Sequence, residues 1–467
     1  NRRIVVEIQR KMNVTLIYPG ITDCGFNSLK GNEGSWINHG LAILSSTLKN
    51  KNHHVNLIDL RRLMSWEHYC RVVKDELGEV AGITMMSVDY NSGIRAAEII
   101  RKVKPETKIF VGGPHPSICP EQLETKGCID CVVKGEAEIT FSALLDDLVN
   151  GEKIPKVVQG QRLENLDEAP WADRDLFSCP EEPFVYFLKP PFVTLIAARG
   201  CKYNCNFCQP AERIMFGRAV RRRSVENVID ELKYLRDRYD FNSFMLHDDC
   251  LTEDRDWVIG FCRQLKAEGL NKPFVVQSRA DIICKNRDMV EMLRDAGLKL
   301  FIIGFESGSD RVLKFLRKGC TRRQNIEAAD ICKQFGIKIW ANYMLGLPTE
   351  TKEEVLETLS MLKEIRPYHC SPAFYTPHPG SDLFEMGREM GIHLINSHDS
   401  YRRNNYEPKI KGPDYKFLAN ILSKSMALAQ YQGMPLSLRL KKKCQATIAR
   451  WPMVYRFVKS VRKLIFH

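Results

Sequence analysis

The chain has 467 residues, 44% of them hydrophobic and 27% charged, with 69 Lys and Arg against 57 Asp and Glu for a formal net charge of +12. That length gives two or three domains with ample core, and no run of about 18 apolar residues is present to cross a membrane as a helix. Its 16 cysteines have no framework spacing, which excludes a disulfide scaffold and fits a reducing cytoplasm.

Asn1 to Lys11 is charged and lacks the apolar segment of a secretory signal, so it reads as an upstream extension with Met12 an alternative start. Residues 1–150 then read as a βα series. Val14 to Tyr18 is a strand closed by Pro19-Gly20, and His39 to Leu44 opens a helix. His54 to Asp59, Glu79 to Met85, Lys108 to Val111 and Cys131 to Lys134 are four more strands. Strands alternating with helices imply a doubly wound, Rossmann-like parallel sheet, whose ligands bind at the carboxyl ends of the strands. Two of those ends carry Gly112-Gly113-Pro114-His115 and Gly135-Glu136-Ala137-Glu138, and neither fits a dinucleotide G-x-G-x-x-G.

Residues 151–190, rich in Pro and acids, read as a linker that leaves through Pro190-Pro191. A short β-rich run, Phe192 to Ala198, follows and leads through Arg199-Gly200 into Cys201-Lys202-Tyr203-Asn204-Cys205-Asn206-Phe207-Cys208. Three thiols spaced C-x3-C-x2-C can hold three irons of a [4Fe–4S] cluster and leave the fourth iron open to a ligand. A zinc knuckle is the alternative, but it needs a fourth Cys or His close by. None follows until His247 and Cys250, at the end of a later strand. After the loop, Ser224 reads as the N-cap of a helix with Asn227 at the third position, so the loop joins a strand to a helix.

Five further strand runs come next. Asn242 to His247 ends at Asp248-Asp249, Phe274 to Gln277 at Ser278-Arg279, and Leu300 to Phe305 at Glu306-Ser307-Gly308. Lys338 to Met344 ends at Leu345-Gly346-Leu347-Pro348, and His369 to Phe374 at Tyr375-Thr376-Pro377-His378-Pro379-Gly380. With the cluster strand they make six βα units over residues 191–390, a partial (β/α)6 barrel with polar residues gathered at one rim. Residues 391–467 form a basic, mainly helical extension.

The cysteine loop, with its aromatic one place before the last Cys, resembles the radical S-adenosylmethionine (SAM) superfamily, and the preceding sheet resembles the branch that carries an N-terminal cobalamin-binding domain. The similarity runs from about residue 12 to about residue 390. It implies three cofactors: a [4Fe–4S] cluster on Cys201, Cys205 and Cys208, SAM, and cobalamin. For cobalamin it implies contacts from Ser87, Gly112, Gly113, His115, Gly135 and Glu136. The D-x-H-x-x-G signature of many cobalamin proteins is absent, since Asp59 is followed by Leu60-Arg61. For SAM it implies adenine contacts from Phe207 and the Leu345 turn, a carboxylate fork from Arg279, ribose contacts from Glu306, and an ammonium contact from Asp248 or Asp249. The family's Gly-Gly-Glu ammonium motif is replaced by Asp248-Asp249.

The implied chemistry is reductive cleavage of SAM to a 5′-deoxyadenosyl radical, with the protein positioning and shielding its cofactors. C-methylation of an unactivated carbon of a small-molecule or lipid-like substrate is the first reading. Oxidation or ring closure of the anaerobic tetrapyrrole cyclase type is the rival, and a non-catalytic iron–sulfur protein is the alternative of another class. A low-potential donor such as flavodoxin or ferredoxin is the expected partner, and no nucleic-acid stacking module is present. Residues 437–467 hold nine basic residues and no acid. Read as a helix from Pro452, the tail is amphipathic. It suits either docking on the barrel or an anionic membrane surface; the protein reads as cytoplasmic, and the second use of the tail would add peripheral contact at the inner membrane face. Arg221-Arg222-Arg223 reads as a solvated turn or loop anchor, His115, His247 and His378 receive no catalytic role, and Cys250 and Cys370 read as buried inert thiols.

Overall fold

The computed structural model describes residues 10–29, 36–177, 181–208, 211–402 and 407–430, with Leu436 and Leu440. The basic tail at 437–467, apart from Leu440, therefore lies outside the described residues. Contacts divide the chain into two units, Asn1–Pro180 with Pro210–Arg222, and Glu181–Gln209 with Arg223–His467.

The first unit holds six parallel strands: β1 (Asn13–Tyr18), β2 (His54–Asp59), β3 (Val80–Thr84), β4 (Lys108–Gly112), β5 (Cys131–Lys134) and β6 (Val157–Gln159). They lie in the order β2-β1-β3-β4-β5-β6, the doubly wound arrangement expected. Alternation along each strand feeds two cores. Ile17, Ile83, Val111 and Val132 pack with Tyr69, Val73, Ala97 and Ile100 on one face. Leu16, Val80, Phe110 and Val133 pack with Leu41, Leu48, Phe141 and Leu145 on the other. Both faces are covered, as a parallel sheet built from βα crossovers requires. The span read as a linker, 151–190, supplies the sixth strand, because Val157 and Val158 pair in register with Val132 and Val133.

The second unit holds β7 (Phe192–Leu195), β8 (Ser243–Leu246), β9 (Phe274–Ser278), β10 (Leu298–Glu306), β11 (Lys338–Leu345) and β12 (His369–Phe374). They run parallel in sequence order from β7 to β12, which is six βα units of a partial barrel. Helices between them start on local signals. Ser224 accepts from Asn227 N–H and opens Val225–Tyr239. Thr321 with Gln324, and Thr351 with Glu354, form reciprocal capping boxes. Consecutive parallel strands send every strand-end turn to one rim, where the polar residues named above collect.

Candidate active site

In the second unit the cysteine loop leaves β7 at its carboxyl end. Gly200 adopts φ +95°, a backbone region open to glycine, and delivers the chain into the loop. Asn206 pins the loop: its backbone N–H donates to Leu316 O at 3.2 Å, its Nδ2 to Phe315 O at 2.6 Å, and its carbonyl accepts from Leu383 N at 3.0 Å. Phe207 packs on an apolar cluster of Val312, Leu316, Leu347, Tyr375, Leu383 and Ile410. Cys205 is buried, Cys201 half-buried and Cys208 exposed. Burial holds the Cys201 thiol above its ordinary value.

The remaining rim residues are drawn around Cys205. Arg279, 5% exposed, lays its guanidinium 3.6 Å from the centroid of Tyr203, inside the cysteine loop. All three of its nitrogens carry partners: Nε with Asp281 Oδ1 at 3.0 Å, Nη2 with Lys318 O, and Nη1 with Cys205 Sγ at 3.9 Å. This arrangement ties one N–H of each nitrogen to the protein. Lys318, itself buried, donates from Nζ to Glu306 Oε1 at 3.0 Å. Glu306 has φ +61°, unusual for a residue with a Cβ, at a register shift between β10 and β11. Gly304 makes room for it, because a Cβ there would lie 2.3 Å from Glu306 Oε1 and 2.9 Å from Lys318 Nζ.

The other expected contacts differ in burial. Asp248 is buried, and its Oδ1 accepts from Ala197 N at 2.8 Å and Ala198 N at 2.5 Å, tying the end of β8 to the end of β7. Asp249 is exposed. Leu345 is fully buried as the last residue of β11. The turn after it is held by Glu350, whose Oε2 accepts from Gly346 N at 2.7 Å and Leu347 N at 3.2 Å. Burial pushes the Glu350 carboxyl up to about 7. Cys250 and Cys370 are buried, and desolvation pushes each thiol up to about 12. Burial also lowers His247, and it takes His378 down to about 4 with the nearby Lys409 charge contributing.

In the first unit the expected cobalamin contacts sit after three adjacent strands, β3, β4 and β5. His115 is buried and its Nδ1 lies 3.2 Å from Ser87 Oγ, joining the turns after β3 and β4. Gly113 has φ +100° and a Cβ there would press on Thr84 Oγ1 at 2.8 Å, while Gly112 stays open, its nearest neighbour 3.6 Å away. Gly135, at φ +78°, donates to Ser117 Oγ at 2.8 Å and joins the turn after β5 to the same group. Glu136 is taken by Arg221, which grips both carboxylate oxygens in a buried pair. The arginine run is therefore an anchor rather than a solvated turn: Arg223 likewise holds Glu231 at 2.6 Å. Where a histidine of D-x-H would stand, Arg61 pairs with Asp59 at 2.7 Å and lies over Tyr18.

Among the described residues no trio of His, Cys, Asp and Glu side chains closes into a metal cage. The donor set nevertheless fits a cluster: three thiols on one pinned loop, with two buried cations beside the most buried of them. Cluster ligands sit on separate irons, so they need not converge as ligands of a single ion do. The glycine turns fit a large ligand lying along the sheet edge.

The Radical SAM superfamily pattern matches residues 195–362, and the B12 binding domain pattern matches residues 32–145. The chain carries a B12 binding domain followed by a radical SAM domain. The radical SAM domain implies a [4Fe–4S] cluster and SAM for this radical SAM enzyme, and the B12 binding domain implies cobalamin. It is 29% identical to an uncharacterized methyltransferase, PH0819, of Pyrococcus horikoshii over 80% of this chain and 83% of that one. It is 27% identical to the anaerobic magnesium-protoporphyrin IX monomethyl ester cyclase of Rubrivivax gelatinosus over 75% of this chain and 64% of that one. A hopanoid C-3 methylase of Methylococcus capsulatus is 25% identical over 73% of this chain and 67% of that one. In fold, the radical SAM enzyme superposes on the methyltransferase TsrM of Kitasatospora setae with TM-score 0.68 at 14% identity, covering 97% of this chain and 100% of that one. It superposes on OxsB with TM-score 0.71 at 17% identity, covering 97% and 72%.

Sequence reading missed Lys318, Asp281 and Tyr203, and it gave Arg221 as part of a turn or loop anchor without its partner. Asp281 and Tyr203 had a visible signal, one two places from Arg279 and the other inside the loop. The pairings of Lys318 with Glu306 and of Arg221 with Glu136 had none, since no fixed spacing links the partners.

Proposed function

We propose that this enzyme methylates a carbon of a small-molecule or lipid-like substrate. The observation that carries the reading is the combination in one chain of a pinned three-thiol loop at a barrel rim with glycine turns on three adjacent strands of a second sheet. The methyltransferase names among its relatives support it.

In this reading Cys201, Cys205 and Cys208 hold the cluster, and Phe207 and Leu345 wall the adenine of SAM. Glu306 turns Oε2 toward the ribose hydroxyls while Lys318 fixes Oε1. Asp249, the exposed member of its pair, meets the ammonium. Ser87, Gly112, Gly113, His115 and Gly135 line the cobalamin, and Glu136 serves by fixing residues 211–222 through Arg221. When bound, the cluster with SAM supplies one-electron sulfonium cleavage, and cobalamin supplies methyl transfer. A flavodoxin- or ferredoxin-type donor supplies the electron.

Anaerobic reconstitution with iron, sulfide and cobalamin, followed by a SAM-cleavage assay, tests this. S-adenosylhomocysteine should accumulate together with 5′-deoxyadenosine. Protein that carries zinc instead of iron and sulfide would end the proposal. Cyclisation is the second reading, favoured by the cyclase relative. It gives 5′-deoxyadenosine without S-adenosylhomocysteine. A lipid-like substrate would further require the basic tail to hold the enzyme at a membrane. Liposome co-sedimentation unchanged by removing residues 437–467 would exclude that arrangement.

A further inference from the structure

We infer that Arg279 is a positioning residue for the cluster, whose buried charge beside Cys205 raises the reduction potential of the iron–sulfur centre. The inference rests on the cluster reading above and concerns the side chain that the resemblance implied for the carboxylate of SAM.

The geometry commits the guanidinium to the loop. Its flat face stacks on Tyr203 and its Nη1 points to Cys205 Sγ, so it contacts two residues of one C-x3-C segment. Asp281 Oδ1 and the Lys318 carbonyl fix the other two nitrogens, so the fork cannot swing away without breaking buried bonds. Both Arg279 and Asp281 are nearly closed to solvent, with side chains 7% and 10% exposed. Hydrogen bonds to cluster sulfurs and nearby charge are the established means by which a protein sets a cluster potential. Reduction adds one electron, and hence one negative charge, to the cluster. A fixed cation at that sulfur favours the reduced state, most strongly where water does not screen it. The electron comes from the external one-electron donor; no bond to Arg279 forms or breaks. Asp281 sets the size of the effect, because its carboxylate offsets part of the guanidinium charge.

The test is an EPR-monitored redox titration of anaerobically reconstituted protein. Arg279→Met should lower the ratio of reduced to oxidised cluster about tenfold at the wild-type midpoint, equivalent to about 59 mV for a one-electron couple. Arg279→Lys, which keeps the charge and loses the fork, should fall between the two. Asp281→Asn should move the midpoint the other way. Arg279→Met with full cluster content and a wild-type midpoint overturns the inference. If Arg279→Met does not retain its cluster, Asp281→Asn decides, and an unmoved midpoint there also overturns it. A wild-type protein that assembles no cluster overturns the functional reading itself, whereas a cluster insensitive to these changes overturns only the role of Arg279.

Discussion

Lys318 Nζ stands 3.0 Å from Glu306 Oε1, and both side chains are almost closed to solvent, at 8% and 11% exposure. Glu306 reaches that position only through a left-handed backbone, next to the one residue without a Cβ that can sit beside it, Gly304. Removing one partner of a buried pair leaves an unpaired charge, at a cost of about 3–5 kcal/mol. Lys318→Met should therefore lower resistance to urea in the second unit and weaken SAM binding. Lys318→Met with wild-type values for both would show the pair to be dispensable.

Gly304→Ala is expected to act on the same pair by a different route. Its Cβ would lie 2.3 Å from Glu306 Oε1, so the carboxylate must move. Ribose recognition should then suffer with little change in cluster content. Equilibrium dialysis of SAM against iron analysis separates the two, and unaltered SAM binding would contradict the assignment of Glu306.

Cys208 is the exposed thiol of the three, so Cys208→Ala should leave the fold intact. Iron and sulfide content should drop, and SAM cleavage should vanish. Full iron loading in this variant would remove Cys208 from the ligand set.

Glu350 and His378 give opposite pH signatures. The Glu350 carboxyl is raised from 4.5 to about 7 by burial, so the folded state holds its proton where the unfolded chain has lost it. Stability is present below about 4.5 and falls as pH rises to about 7, by about 3 kcal/mol in all. Glu350→Gln copies the protonated form and should raise the denaturation midpoint at pH 8 relative to wild type. His378 is lowered from 6.5 to about 4, so the unfolded chain takes up its proton first and stability falls as pH drops through that window. His378→Gln should flatten the acid limb between about 6.5 and about 4. Wild-type slopes in both variants would contradict these shifts.

Arg221 and Glu136 make a testable anchor. Glu136→Gln should loosen residues 211–222, read as faster amide hydrogen exchange over that segment while β7 to β12 remain protected. It should also speed cobalamin dissociation if the turn after β5 lines the cofactor. Unchanged exchange would mean that the Leu163 carbonyl, which also accepts from Arg221, suffices alone.

Strands were legible because their apolar runs are short, alternate with helix signals and end at Gly, Pro or Asp. Val157–Gln159 escaped because three residues flanked by Lys and Gly carry too little pattern, and only pairing with β5 makes them a strand. The cysteine loop was legible because its chemistry is local: three thiols within eight residues. Arg279 was found, but sequence alone does not reveal that Asp281, Lys318 and Cys205 each take one of its nitrogens. The partners of Glu306 and Glu136 were invisible for the same reason: ion pairs between distant segments follow no spacing rule.

The route of the chain has a practical consequence. It leaves the second unit after the last cysteine, is counted with the first from Pro210 to Arg222, and returns at Arg223. No single cut can therefore separate the two halves. A truncation that begins at Glu181 would carry an orphaned strip cut off from Glu136, and one that stops at Pro180 would remove the guanidinium that grips that carboxylate. Studying either cofactor site by itself would require two incisions and a splice.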